Sequence, residues 1–323
     1  MSESRLDDLR EEAARTGTVE GGGVRAAGGP LPVEQEAVGY YGRPVLKAPV
    51  WTWEVPLYFF VGGLAGMAAV IALAAHAARQ SPLLLLDALR LAALGAVISP
   101  LLLVLDLGRP SRFLNMLRVF KRASPMSVGV WTLVLFGGAT VSGWALLEWF
   151  DRFTLWLGPE PSRMALKFLL LSGGVLGAVL ATYTGVLLGA TVIPAWSSHR
   201  ALLPFHFGLA GLGSAAAALE LIGHRLPALW MIGAGVAGLE TLIGLWVELR
   251  RGTVADRALR SGRAGWTLRM AGVLAGPGAL ALRLAGQTPL AAACFLLGAL
   301  LSRYGWVAAG RASARDPEAA LYG

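Results

Sequence analysis

Glu54 and Tyr58 stand four residues apart, so a helix that carries both presents a carboxylate and a phenol on one face, where they can hydrogen-bond a single polar head group. They occur in Trp51-Thr-Trp53-Glu54-Val-Pro56-Leu-Tyr58. That string also suits an aromatic belt with an acid at a membrane surface, and spacing alone leaves both readings open. Tyr183, in Ala181-Thr182-Tyr183-Thr184-Gly185, lies well inside an apolar stretch. A phenol buried there needs a hydrogen-bond partner, either on a neighbouring helix or on a ligand. Glu240 is deeper still, roughly 20 Å along a helix starting at Pro227, at 1.5 Å per residue. An acid at that depth is a candidate member of a proton path. Asp87 and Arg90 are three apart and form an expected ion pair. Glu220 and Arg303 are less informative, because both could reach an interface by snorkelling.

Metal chemistry of the chain's own is poorly supplied. Cys294 is the one cysteine and there are four histidines, too few for an iron–sulfur cluster or a closed zinc site. Bis-histidine haem needs two imidazoles on facing helices at similar depth. His76 and His224 end their stretches on one side, whereas His199 and His206 lie near the other. No haem, cluster or metal site is therefore expected within the chain.

The elements that hold these residues are set by hydropathy. Of 323 residues, 55% are hydrophobic and 15% charged, with a mean hydropathy of +0.60, the composition of an integral membrane protein. Eight apolar stretches are expected to span a bilayer, at about 53–76, 83–105, 127–149, 165–191, 202–222, 227–248, 268–285 and 289–309. The connections are mostly short, which predicts an all-α antiparallel bundle. Small residues such as Gly62, Gly66, Ser172, Gly173, Gly174 and Gly177 would let its helices approach closely. The expected domains are a polar, partly disordered arm over 1–50, a membrane domain over 51–310 and a short tail over 311–323. Phe113, Met116, Leu117 and Phe120 recur at helical spacing, predicting a short interfacial helix.

The formal net charge is +8, but the cations follow the loops and do not indicate nucleic acid. They crowd the side that carries the N-terminus, while the other side has only Arg79, Arg152, Arg163, Lys167, Arg225 and Arg283. With an even number of spans, this places both termini in the cytoplasm, as expected for a multi-pass protein of a prokaryotic plasma or inner membrane. The opening residues contain no apolar core of a signal peptide. A short echo relates Pro56-Leu-Tyr58-Phe59 and Gly63-Leu-Ala-Gly66 to Pro204-Phe-His206-Phe207 and Gly208-Leu-Ala-Gly211. Chance similarity of Gly/Ala-rich helices and a duplicated four-helix unit both account for it. Duplication would give two four-helix bundles.

Three strings carry a family resemblance: Tyr41-Gly-Arg43-Pro-Val-Leu-Lys47-Ala-Pro-Val-Trp51-Thr-Trp53-Glu54, the turn Asp106-Leu-Gly-Arg109-Pro110, and Ser124-Pro-Met-Ser127. With Tyr183-Thr-Gly185, they resemble the NrfD-like family, the membrane subunits of polysulfide-reductase-type complexes, over roughly Tyr40 to Ala309. The resemblance implies eight helices in two bundles and no redox cofactor of the subunit's own. It also implies electron exchange between a membrane quinone (menaquinone or ubiquinone) and a ferredoxin-like iron–sulfur subunit, alongside a molybdopterin or multihaem cytochrome subunit. Polysulfide-reductase-type relatives carry an amide and an imidazole near the start of the first helix, where this chain has Glu54 and Tyr58. Several family complexes hold the cluster subunit outside the cytoplasm, opposite to the side the cation count assigns, so sidedness stays open.

The expected function is a quinone-interacting membrane subunit of a respiratory oxidoreductase, which can be coupled to proton translocation. Glu54 would accept a proton, Tyr58 and Tyr183 would hold the head group, Asp106 and Arg109 would form the rim, and Glu240 would serve a proton path. Two alternatives differ in class: a secondary transporter, suggested by the echo and the buried acids, and a membrane anchor with no site, in which partners do all the chemistry.

Overall fold

The computed structural model describes residues 45–107, 115, 117–250 and 254–322. The expected arm up to residue 44, Arg109, and the Phe113 and Met116 positions of the expected interfacial helix lie outside them. Among the described residues every regular element is a helix. Seven are long and apolar enough to cross a bilayer: α1 (Glu54–Ala77), α2 (Pro82–Asp106), α3 (Pro125–Glu148), α4 (Pro159–Gly189), α5 (Leu202–Ile222), α6 (Pro227–Leu249) and α7 (Thr288–Arg315). This is the make-up of a multi-pass membrane protein.

Local chemistry sets the ends. Five of the seven carry proline at the first or second helical position, where its missing N–H is not needed. Ser81 and Ser124 cap α2 and α3 by accepting from Leu83 N and Ser127 N, each satisfying one otherwise unpaired amide. Outward faces are apolar and uncovered, with Leu101 of α2 58% exposed and Phe168 of α4 69% exposed, as lipid-facing surfaces require.

The stretch expected as a continuous span at 268–285 is a correction. It forms Gly262–Val273, a π-helical turn over Leu274–Gly278, and Ala279–Leu284. Gly276 has non-helical angles (φ −94°, ψ −107°) and Pro277 follows it. Proline removes a donor and its ring crowds the preceding turn, so the helix breaks there.

Helix α1 packs against α2, α4, α5 and α7, and α3 packs against α2 and α4; α5 packs against α6 and α7. Glycines allow the closest crossings. A Cβ on Gly66 or Gly177 would fall within the van der Waals radius of the other's carbonyl oxygen, so α1 and α4 touch backbone to backbone. Along α1 and α5, Phe59 meets Phe207 with ring centroids 6.1 Å apart. One turn on, a Cβ at Gly211 would lie 2.7 Å from the Gly63 carbonyl oxygen. The two helices therefore run parallel, with equivalent positions meeting at a constant offset of 148 (207 − 59 and 211 − 63). Gly63 registers with Gly211, not with Gly208 as the short echo suggested.

Two ionic expectations change. Arg303 does not snorkel: it is 1% exposed, its guanidinium lies 3.7 Å over the Phe207 ring, and its Nη2 donates to the Phe207 carbonyl at 2.9 Å. Glu220 is likewise buried, paired with Arg283 through two bonds of 2.5 and 2.8 Å. The Asp87–Arg90 pair forms at 3.1 Å. It extends to His224, 2.9 Å from Asp87, and to Glu148, 2.8 Å from Arg90.

Candidate functional site

The first constellation lies at the ends of α1, α2 and α4 on the side that carries the N-terminus. Tyr58 and Tyr183 are 125 residues apart in sequence, yet their hydroxyls lie 3.1 Å from each other in the interior. The Tyr183 ring lies directly on Gly129 of α3, where any Cβ would collide with it. Tyr58 is thus one partner that the sequence required for Tyr183. One turn nearer the helix start, Glu54 is half-buried and contacts the Thr52 hydroxyl. Thr52 also faces Asp106: its hydroxyl is 3.2 Å from Oδ1 and its backbone N–H reaches the same oxygen at 3.5 Å. Two carboxylates share one hydroxyl at this mouth, with phenols beneath them. Tyr304 of α7 closes a further side by donating to the Trp53 carbonyl at 3.0 Å.

Glu240 does not join this group. It lies on α6 beside His206 of α5 and Ser302 of α7, all three buried. The imidazole sits between the other two, with Nε2 2.9 Å from Ser302 Oγ and Nδ1 3.1 Å from Glu240 Oε2. The Nδ1–Oε2 approach is close but poorly aligned, leaving His206 Nδ1 and Glu240 Oε1 without a hydrogen-bond partner in the protein. These residues form the floor of a cavity of about 430 Å³ whose walls include Ile243, Val247, Leu268 and Val273. The π-helical turn contributes Ala275 and Pro277 to the lining. Where the cavity meets the surface, Arg269 pairs with Glu248 at 2.7 Å.

A third buried group lies in the connection before α5. His199 Nδ1 is 3.0 Å from the Ala195 carbonyl, and its Nε2 is 3.5 Å from Asp256. Its ring stands edge-on to Trp246 and Trp306, with centroids 5.9 and 5.5 Å away. Burial pushes the imidazole pKa below its usual value; the Ala195 carbonyl and Asp256 oppose that shift without overcoming it. Among the described residues, no three His, Cys, Asp or Glu side chains gather as a metal site would require.

Sequence reasoning missed the His206–Glu240–Ser302 group, having weighed His206 only for haem. The signal was present in the echo, which pairs His206 with Tyr58 (206 − 58 = 148). Asp256 left no comparable trace, because its partner His199 lies across an irregular connection.

Buried polar pairs inside long apolar helices belong to the class of multi-pass helical membrane proteins, in which such groups are the first candidates for a functional site. Residues 45–227 match the family model described as polysulphide reductase, NrfD, and the chain belongs to that family. No curated protein matches it.

Proposed function

We propose that this chain is the quinone-interacting membrane subunit of a multi-subunit respiratory oxidoreductase, exchanging electrons between menaquinone or ubiquinone and a ferredoxin-like iron–sulfur partner. A molybdopterin or multihaem cytochrome subunit would complete the complex. The observation that carries this reading is the Tyr58–Tyr183 hydroxyl pair lying one turn beneath Glu54, Thr52 and Asp106. Oxidation of a quinol releases two electrons and two protons, so its head needs hydrogen-bonding groups and a proton acceptor close to water. The two phenols can each donate to or accept from a ring oxygen. Glu54, held by Thr52 at the mouth, can take up a proton and return it to solvent. The electrons would pass to a cluster held by the partner, a division of roles that fits a chain with a single cysteine.

We further propose eight crossings in two four-helix bundles. The broken segment Gly262–Leu284 supplies the eighth: its 23 residues would extend roughly 34 Å at 1.5 Å each, enough for a bilayer core of about 30 Å. Both termini then face one side, assigned to the cytoplasm by the cation distribution.

Tyr183→Phe in the assembled complex tests the site, because it removes one hydroxyl from an otherwise isosteric ring. Quinone-coupled turnover should fall while assembly and subunit stoichiometry hold. Unchanged turnover would remove Tyr183 from the site, and loss of assembly would make its bond to Tyr58 purely structural.

A further inference from the structure

We propose that the cavity between α5, α6, α7 and the broken segment is a second binding site for the head of a quinone-class molecule, built around His206 and Glu240. This inference rests on the function proposed above and extends it to the other half of the chain. The cavity has a buried polar end, apolar walls and an ion-paired mouth, a form that suits an amphipathic ligand. At the polar end, Glu240 Oε1 is buried without a hydrogen-bond partner, and His206 Nδ1 has only the poorly aligned Glu240 Oε2 at 3.1 Å, which is costly unless a ligand or water completes the bonding. Both residues line the cavity.

The chemistry of that end selects the ligand. Glu240 stands where a phosphate head would meet a carboxyl group, and Arg269, the cation at the mouth, is already paired with Glu248. A neutral head whose ring oxygens both donate and accept hydrogen bonds matches an imidazole beside a carboxyl group. Ser302 holds the imidazole from its far side at 2.9 Å and so fixes the direction of Nδ1. The walls, including Leu268 and Val273, suit a ring system and the start of an apolar tail.

Internal symmetry points the same way from a separate observation. His206 occupies in α5 the position that Tyr58 occupies in α1, and the equivalent pairs Phe59/Phe207 and Gly63/Gly211 meet between the helices. Each half thus presents a buried polar side chain, four residues into its helix, that engages a second helix of the same half. Tyr58 engages Tyr183 on α4, and His206 engages Glu240 on α6.

Gly244 and Gly272 allow the site to be closed without touching its polar end. Both line the cavity, and a Cβ at either meets nothing within 4 Å. Full-length protein in lipid nanodiscs would be photolabelled with an azido-substituted benzoquinone and the adducts mapped by mass spectrometry. Labelling is expected at two places, one near Tyr58 and Tyr183 and one on the segments 240–248 and 268–277. Gly272→Leu and Gly244→Leu should each lower the second labelling about tenfold, equivalent to about 1.4 kcal/mol of binding, and leave the first unchanged. Excess unlabelled decyl-benzoquinone should compete at both places, whereas oleate and phosphatidylglycerol should not.

Labelling confined to the Tyr58 region would overturn the second site while sustaining the proposed function; no specific labelling anywhere would overturn both. Competition at the cavity by oleate or phosphatidylglycerol, but not by decyl-benzoquinone, would make it a lipid site. Labelling at 240–248 that both leucine variants leave intact would place the adduct on the outer surface and likewise sink the proposal.

Discussion

In the proposed function, Glu54 is the residue on which the proton chemistry would turn. Its carboxylate contacts the Thr52 hydroxyl that also lies 3.2 Å from Asp106, so one small side chain links two acids at the mouth above Tyr58. A group that accepts a proton from a quinol must titrate, whereas one that only completes an interfacial hydrogen bond need not. Glu54→Gln keeps size and hydrogen bonding but cannot titrate. In the assembled complex it should lower quinol oxidation more than quinone-analogue binding and change the pH–rate profile. A variant with the wild-type rate and profile would reduce Glu54 to an interfacial acid and leave the pocket to Tyr58 and Tyr183.

The helices are held apart and together by a few polar contacts set among apolar ones. Glu220 on α5 and Arg283 beyond the break are both buried and doubly bonded. Arg283 also lies flat against Gly233 of α6, where a Cβ would collide with its guanidinium. The pair thereby ties three elements of the second half at the end opposite the cavity mouth. Removing one partner leaves an uncompensated buried charge, a loss of about 3–5 kcal/mol. Glu220→Ala should therefore markedly lower the thermal unfolding midpoint of the solubilised chain. The double variant Glu220→Leu with Arg283→Leu should recover much of the loss, since an apolar pair of similar volume carries no desolvation cost. A single variant that melts with the wild type would show the pair to be idle.

Across the molecule, the ends of α1 and α2 that carry Glu54 and Asp106 lie on the same side as the mouth formed by Glu248 and Arg269. The cation-rich connections lie there as well, including Lys121, Arg122, Arg250 and Arg260. If cation bias sets orientation, cysteines introduced at exposed Lys121 and Arg315 should be labelled by an impermeant maleimide only after cells are opened. A cysteine at exposed Arg152, between α3 and α4, should be labelled in intact cells or spheroplasts. The reverse pattern would place the Glu54 mouth, and any partner docked there, outside the cytoplasm.

Much of this protein was legible in one dimension. Span length and apolarity are local properties, so the positions of α1 to α7 follow from composition along the chain, and the Asp87–Arg90 pair follows from helical spacing. Gly276-Pro277-Gly278 also marked the break in the broken segment, although hydropathy alone reads through it. Which residues meet across helices was another matter. In a soluble protein the face turned to the core is apolar and the face turned to water is polar, so periodicity reveals the buried side. Lipid is as apolar as the interior of a bundle, which erases that contrast. The meeting of Tyr58 with Tyr183, of His206 with Glu240 and Ser302, and of Glu220 with Arg283 was therefore decided only by the tertiary packing, where glycine crossings bring distant helices close enough for buried polar groups to find one another.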